Sequence, residues 1–187
     1  MVFSMPVDVK VRPLVIRFKG IFDYNLVYNS MRKFFDMKRY DFFEKAYKHK
    51  GRGPQTELEH IWYIQHELNE HIMNSYSIYM KINNFQYVYI KDENGKIKQM
   101  VSGRLFIDIT PSVILDYNDR WRTSEFKKKL LEFYHEFILK KEIDEIYHDR
   151  LRDEAFALQE VFKKALGMTL ISHAYDWKLK SKEQTIE

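Results

Sequence analysis

The 187-residue chain contains no cysteine, which excludes disulfides, thiolate zinc sites and a cysteine nucleophile at once. Its six glycines and four prolines are scattered, so there is no Gly/Ser linker, low-complexity tract or internal repeat. Long apolar runs are missing as well. None approaches the roughly 20 residues of a membrane span. The start of the chain, MVFSMPVDVKVRPLVIRFKG, interleaves charge with apolar residues where a secretory signal needs a continuous apolar stretch. Neither G-x-S-x-G, a nucleotide fingerprint nor a kinase set occurs. These absences predict a soluble, cytoplasmic protein that carries no cofactor.

What is present is aromatic. Tyrosine (13) and phenylalanine (14) lift the aromatic share to 16% within an ordinary hydrophobic fraction of 45%. Such side chains bury large areas, and tyrosine keeps a polar tip for water or a partner. They suit a bulky core, a ligand cavity or an interface. The length fits one domain with a sizeable core. A formal charge of +4 admits contact with nucleic acid or an acidic surface without requiring it.

Periodicity divides the chain into a β-rich front and a helical back. Val7, Val9 and Val11 alternate with Asp8, Lys10 and Arg12, the pattern of a half-buried strand. After Pro13 the apolar side passes to Leu14, Ile16 and Phe18. Asp23 is placed as an N-cap for a short amphipathic helix carrying Tyr24, Val27, Tyr28, Met31, Phe34 and Phe35. DFFEKAYKHKGRGP reads as a strand ending in a basic turn, ELEHIWYIQHEL as extended, and YSIYMKI as an alternating strand. YVYIKDENGKIKQMV predicts a hairpin turning at Asn94-Gly95, followed by strands GRLFIDITP and SVILDY. From Ser124 the period becomes helical, with a bend or break expected between Lys141 and Asp144 and a C-terminal stop at Gly167.

HELNEH, residues 66–71, invites a zinc reading that its spacing refuses. Zincins place histidines four apart on one helical face. His66 and His71 are five apart, so they diverge by roughly 140° on a helix and face oppositely on a strand. A strand bend is the reading that remains, and no metal is expected. KHKGRG, residues 48–53, lacks phosphate-loop spacing, and DYNDRW, residues 116–121, lacks the acids of a calcium loop. Asp108 sits opposite the apolar side of its strand. A carboxylate pair with Glu44 or Glu59 would permit acid–base work, but sequence does not bring them together.

The strings KGIFD, LVYNSMRKFF, EKAYKHK, GRLFIDI, LDYNDRW and ILKKEID resemble a set of small uncharacterised proteins from archaeal genomes. The resemblance spans roughly residues 19–168, with an echo in AYDW. It implies an archaeal-type cytoplasmic protein and no chemistry.

The predicted architecture is α+β: an antiparallel sheet, one short helix after the first strand, and a long C-terminal helical segment packed on or extending from the sheet. Residues 1–122 form the β-rich part, 123–167 the helical segment of the same domain, and 168–187 a docking tail. The leading functional expectation is a non-enzymatic structural or interaction protein, self-associating or bound to a protein partner. Tyr147, Leu151, Phe162, Tyr175 and Trp177 are its candidate interface. A helix-grip-like binder of a hydrophobic small molecule is the alternative, with a cavity near Phe18, Trp62, Ile78 and Phe137. The third is a nucleic-acid binder using Lys45, Lys48, Lys50 and Arg52 with the sheet tyrosines Tyr76 and Tyr79. No catalytic, cofactor-binding or metal-binding residue is assigned. The balance leans against an enzyme, although sites built from distant residues do not show in sequence.

Overall fold

The alternation of apolar residues translates into strands, and the strands into one sheet. The computed structural model describes residues 7–51, 56–91, 95–118 and 149–168. In chain order these form β1 (Val7–Lys10), β2 (Leu14–Phe22), α1 (Tyr24–Met37), β3 (Asp41–Lys50), β4 (Glu57–Glu67), β5 (Ile72–Lys91), β6 (Ile97–Leu115) and α2 (Asp149–Ala165). The sheet is antiparallel throughout, ordered β1-β6-β5-β4-β3, with β2 also beside β6. β3 to β6 form a meander, and the first two strands return to lie in series along β6. The mixed α+β architecture expected from the sequence is what the structure shows. Residues 119–148 and the tail from 169, including Phe137, Tyr147, Tyr175 and Trp177, lie outside the described residues.

Two strands are longer than their sequence patterns predict. YSIYMKI and YVYIK belong to one 20-residue strand, β5, and the two segments flanking Pro111 belong to one 19-residue strand, β6. Each has a physical device that hides its continuity. In β5 a bulge between Asn83 and Gln86 inserts an extra residue, with Asn84 at φ 56°, so the alternation slips by one position. Gly103 lies at the bulge because a Cβ there would come within 2.8 Å of Ile82 Cγ2 and 3.1 Å of the Asn83 carbonyl oxygen. In β6 Pro111 has no N–H to give the neighbouring strand. It sits where β1 has ended and β2 has not begun, and only its carbonyl is used, accepting from Val11 N at 2.9 Å.

Both helices of the described residues pack on one face of the sheet, here called the inner face. α1 begins at Asp23, whose Oδ1 accepts from Leu26 N at 2.9 Å as an N-cap. Burial raises the Asp23 pKa, but the Lys98 ammonium, 2.7 Å from Oδ2, and the helix N–H groups outweigh it and hold the carboxyl below its usual value. Val27, Met31, Phe34 and Phe35 form the buried stripe of α1. α2 buries Leu151, Ala155, Leu158 and Phe162. It ends at Gly167 (φ 65°), where Met168 N reaches Lys163 O and Gly167 N reaches Lys164 O, a Schellman closure that satisfies the last carbonyls. Tyr76 ties α2 to the sheet, its hydroxyl 3.4 Å from Leu151 O and 3.2 Å from Glu154 Oε1. Burial, then the Glu154 charge and neighbouring Tyr40, keep that phenol protonated far above its ordinary pKa. No helix among the described residues is long and apolar enough to cross a membrane.

Candidate functional site

The most concentrated side-chain chemistry in the described structure joins β3, β4 and the first turn of α1. On β4 the residues Leu58, His60, Trp62 and Ile64 alternate onto the inner face and are buried. A bulge between Glu44 and Ala46 on β3 then alters the ordinary spacing. Glu44 pairs with Trp62 and Tyr47 with His60, so residues three apart share the inner face. Tyr24 descends from the start of α1 onto the same spot.

These residues form a closed relay. His60 Nδ1 lies 3.0 Å from Glu44 Oε1, and the Tyr24 hydroxyl lies 2.7 Å from His60 Nε2. A carboxylate oxygen only accepts, so the Nδ1 proton donates to Glu44, and Nε2 is left to accept from the Tyr24 hydroxyl. Burial lowers the His60 pKa below its ordinary 6.5, against the opposing pull of Glu44. The imidazole is therefore neutral near pH 7, and the contact with Glu44 is a hydrogen bond rather than an ion pair. Burial also raises the Tyr24 pKa far above the usual phenol value, helped by Tyr47, Glu44, Tyr28 and Tyr87 in that order.

Carboxylate, imidazole and hydroxyl in a row have the makings of acid–base chemistry, but their electrostatics point away from it. The phenol is held protonated, the imidazole is 4% exposed, and both ring nitrogens are already engaged. No free nitrogen remains to take a proton from a substrate. The arrangement locks α1 to the sheet and fixes the orientation of the aromatic rings around it. His60 stacks on Trp62 with centroids 4.8 Å apart, and the Tyr47 ring lies 4.8 Å from His60 at a tilt of 56°.

Beyond the relay the inner face continues without a helix of the described residues over it. Past its bulge, β5 places Tyr87 and Tyr89 opposite Val101 and Gln99, and Lys91 opposite Ile97. Tyr47 (59% exposed), Tyr87 (59%), Tyr89 (69%) and Ile97 (74%) are among the most exposed large apolar side chains of the described structure. Phe85 supports the shelf from beneath, packed edge-on against Tyr87 at 4.9 Å and His49 at 5.6 Å. Glu44, 44% exposed, lies at one border of this shelf, and Lys91 lies at the other.

The residues singled out from sequence fall elsewhere. Trp62 and Ile78 are completely buried in the core, and Trp62 is enclosed by the rings of His60, Tyr28 and Phe42 at 4.8, 5.9 and 6.2 Å. Phe18 is half-buried, packed edge-on against Phe22 at 5.9 Å. Phe137, the fourth residue of the anticipated cavity lining, lies outside the described residues. Leu151 and Phe162 are core residues of this same chain, not surface available to a partner. Tyr76 and Tyr79 cannot form one stacking platform, because Tyr76 is buried on the inner face while Tyr79 is on the outer face against Phe106. Lys48 and Lys50 stand opposite Glu59 and Glu57, and Lys45 lies over the Tyr63 ring. Glu57 and Glu59 thus stand opposite two of these lysines while ion-pairing with Lys81. Arg52 lies outside the described residues.

HELNEH spans the last two residues of β4 and the turn into β5. Asn69 Oδ1 accepts from the backbone of His71 and Ile72, both at 2.8 Å, and His66 Nδ1 lies 3.0 Å from Arg39 O. Among the described residues no three His, Asp or Glu side chains could hold a metal ion. Asp108 is on the outer face, accepting from Thr110, while Glu59 engages Lys81 and Glu44 engages His60. The carboxylates weighed from sequence therefore do not pair.

No protein-family model matches the chain, and no curated protein matches it significantly.

Proposed function

We propose that this protein is a non-catalytic assembly protein of the cytoplasm, and that the aromatic shelf on its inner face docks a second copy of the same chain. The observation that carries this reading is the row Tyr47, Tyr87, Tyr89 and Ile97, exposed together on the face that elsewhere holds the core. Contiguous exposed apolar patches of this kind mark association surfaces, and tyrosine is among the residues enriched there. The shelf is also self-complementary in charge. Lys91, which makes no ion pair among the described residues, lies at the far end of β5, and the half-exposed carboxylate of Glu44 lies at the β3 end. A two-fold axis through the shelf brings Lys91 of one copy to Glu44 of the other, the reciprocity that a closed symmetric dimer requires. The saturated relay supports the same reading by holding the rings bordering the shelf in fixed positions. A resemblance to small archaeal proteins without assigned chemistry is compatible with an assembly role.

Light scattering coupled to size exclusion tests this. The wild-type chain is expected to elute as a dimer at micromolar concentration, and Tyr87→Glu with Tyr89→Glu as a folded monomer. A wild-type monomer at high concentration, or a dimer untouched by the double substitution in a folded protein, overturns the proposal.

A further inference from the structure

The outer face carries a second feature, on the opposite side of the sheet from the shelf. Arg17, Lys19 and Arg104 converge around a shallow depression of about 310 Å³, completed by Asn83, Phe106 and the backbone neighbours Phe18 and Leu105. The sheet register makes this convergence unavoidable. Lys19 pairs directly with Arg104, Arg104 with Asn83 on its other side, and Arg17 with Phe106. Like charges directly opposite each other on adjacent strands destabilise a sheet. Here none of the three cations has an ion pair with an acid among the described residues, and Arg17 lies 5.7 Å over the Phe106 ring. Lys81, which pairs with Phe106, differs: Glu57 and Glu59 neutralise it at 3.0 and 3.2 Å.

We infer that the depression bounded by Arg17, Lys19, Arg104 and Asn83 is a binding site for a small phosphate-bearing molecule. Two guanidinium groups offer paired N–H donors matched to phosphate oxygens, the lysine adds a point charge, and the asparagine amide adds a neutral donor. The Phe106 ring supplies an apolar wall for whatever the phosphate is attached to. The surroundings favour a compact anion over a polymer. Beyond the depression the outer face alternates in sign, with Lys81 bridged by Glu57 and Glu59 and with the Asp108 carboxylate beside them, so the described residues form no continuous cationic track for an extended polyanion. Bound phosphate would also relieve the Lys19–Arg104 repulsion, giving the cluster a stability dependent on the ligand.

The test uses the full chain with inorganic phosphate and adenosine monophosphate as probes, followed by thermal unfolding and by NMR of the arginine side-chain Nε–H signals. Both probes are expected to raise the melting temperature beyond sodium chloride of equal ionic strength and to move the Arg17 and Arg104 signals. The nucleotide is expected to bind more tightly if Phe106 contacts it. Arg104→Gln should be as stable as wild type or more so without phosphate, because the repulsion is relieved, and should lose about tenfold in affinity. A phosphate effect no larger than that of chloride, or one unchanged in Arg104→Gln, overturns the inference. So does a single-stranded oligonucleotide binding through these residues far more tightly than the mononucleotide, because that result makes the surface a polymer track. None of these readouts depends on the shelf, so failure here leaves the dimer proposal standing and the reverse.

Discussion

Tyr24→Phe isolates the relay because it removes one oxygen and leaves every ring in place. The stacking of residue 24 on His60 at 5.8 Å and on Tyr28 at 6.4 Å survives. What goes is the 2.7 Å hydrogen bond to His60 Nε2. That nitrogen belongs to a side chain only 4% exposed, so water does not freely replace the lost donor. An unmade buried hydrogen bond of this type costs about 1–2 kcal/mol. For a urea slope of about 2–3 kcal/mol/M, the midpoint moves down by roughly 0.3–1 M. Equilibrium urea unfolding followed by tryptophan fluorescence reads this out. Tyr28→Phe is the control, because the Tyr28 hydroxyl has no hydrogen bond among the described residues, and its midpoint should stay within about 0.2 M of wild type. Equal midpoints for the two variants would refute the claim that the relay ties α1 to the sheet.

Stability should also depend on pH through His60. Its folded pKa lies below 6.5, so the folded state binds fewer protons than the unfolded one as pH falls through that window, and stability declines. The wild-type melting temperature should fall more than that of His60→Gln between pH 7.5 and the folded pKa, and parallel curves would contradict this. Gly103→Ala forces a Cβ against the Asn83 carbonyl oxygen, a backbone atom that cannot swing aside. A loss of about 1–3 kcal/mol is expected, lowering the melting temperature by roughly 2–10 °C in differential scanning calorimetry. Asp23→Ala removes the α1 cap and the Lys98 contact and should cost about 1 kcal/mol. Asp23→Asn should recover most of that in the same calorimetric experiment.

Local pattern carried the fold further than the site. The N-cap at Asp23, the stripe from Tyr24 to Phe35, the extended ELEHIWYIQHEL segment and the stop at Gly167 are short-range devices, written in consecutive residues. The β5 bulge and Pro111 break the alternation locally while the strand continues, so each long strand looks like two. The relay depends on partners 16 and 36 residues away and on a β3 bulge whose position no periodicity reveals. One signal was available: His60 occupies the apolar side of LEHIWYI, a place where a buried imidazole requires partners. The shelf was hidden for a related reason. Tyr87 and Tyr89 share the inner face with Tyr76 only because the bulge shifts the alternation between them.

The absence of cysteine permits the most direct test of the assembly. Gln99→Cys places one thiol on the shelf, opposite Tyr89, and Met37→Cys places one at the exposed far end of α1. Under mild oxidation at micromolar concentration, the two-fold arrangement predicts a rapid covalent dimer from Gln99→Cys that Tyr87→Glu abolishes, with Met37→Cys remaining monomeric. Slow cross-linking of Gln99→Cys, no faster than that of Met37→Cys, would contradict docking through the aromatic shelf.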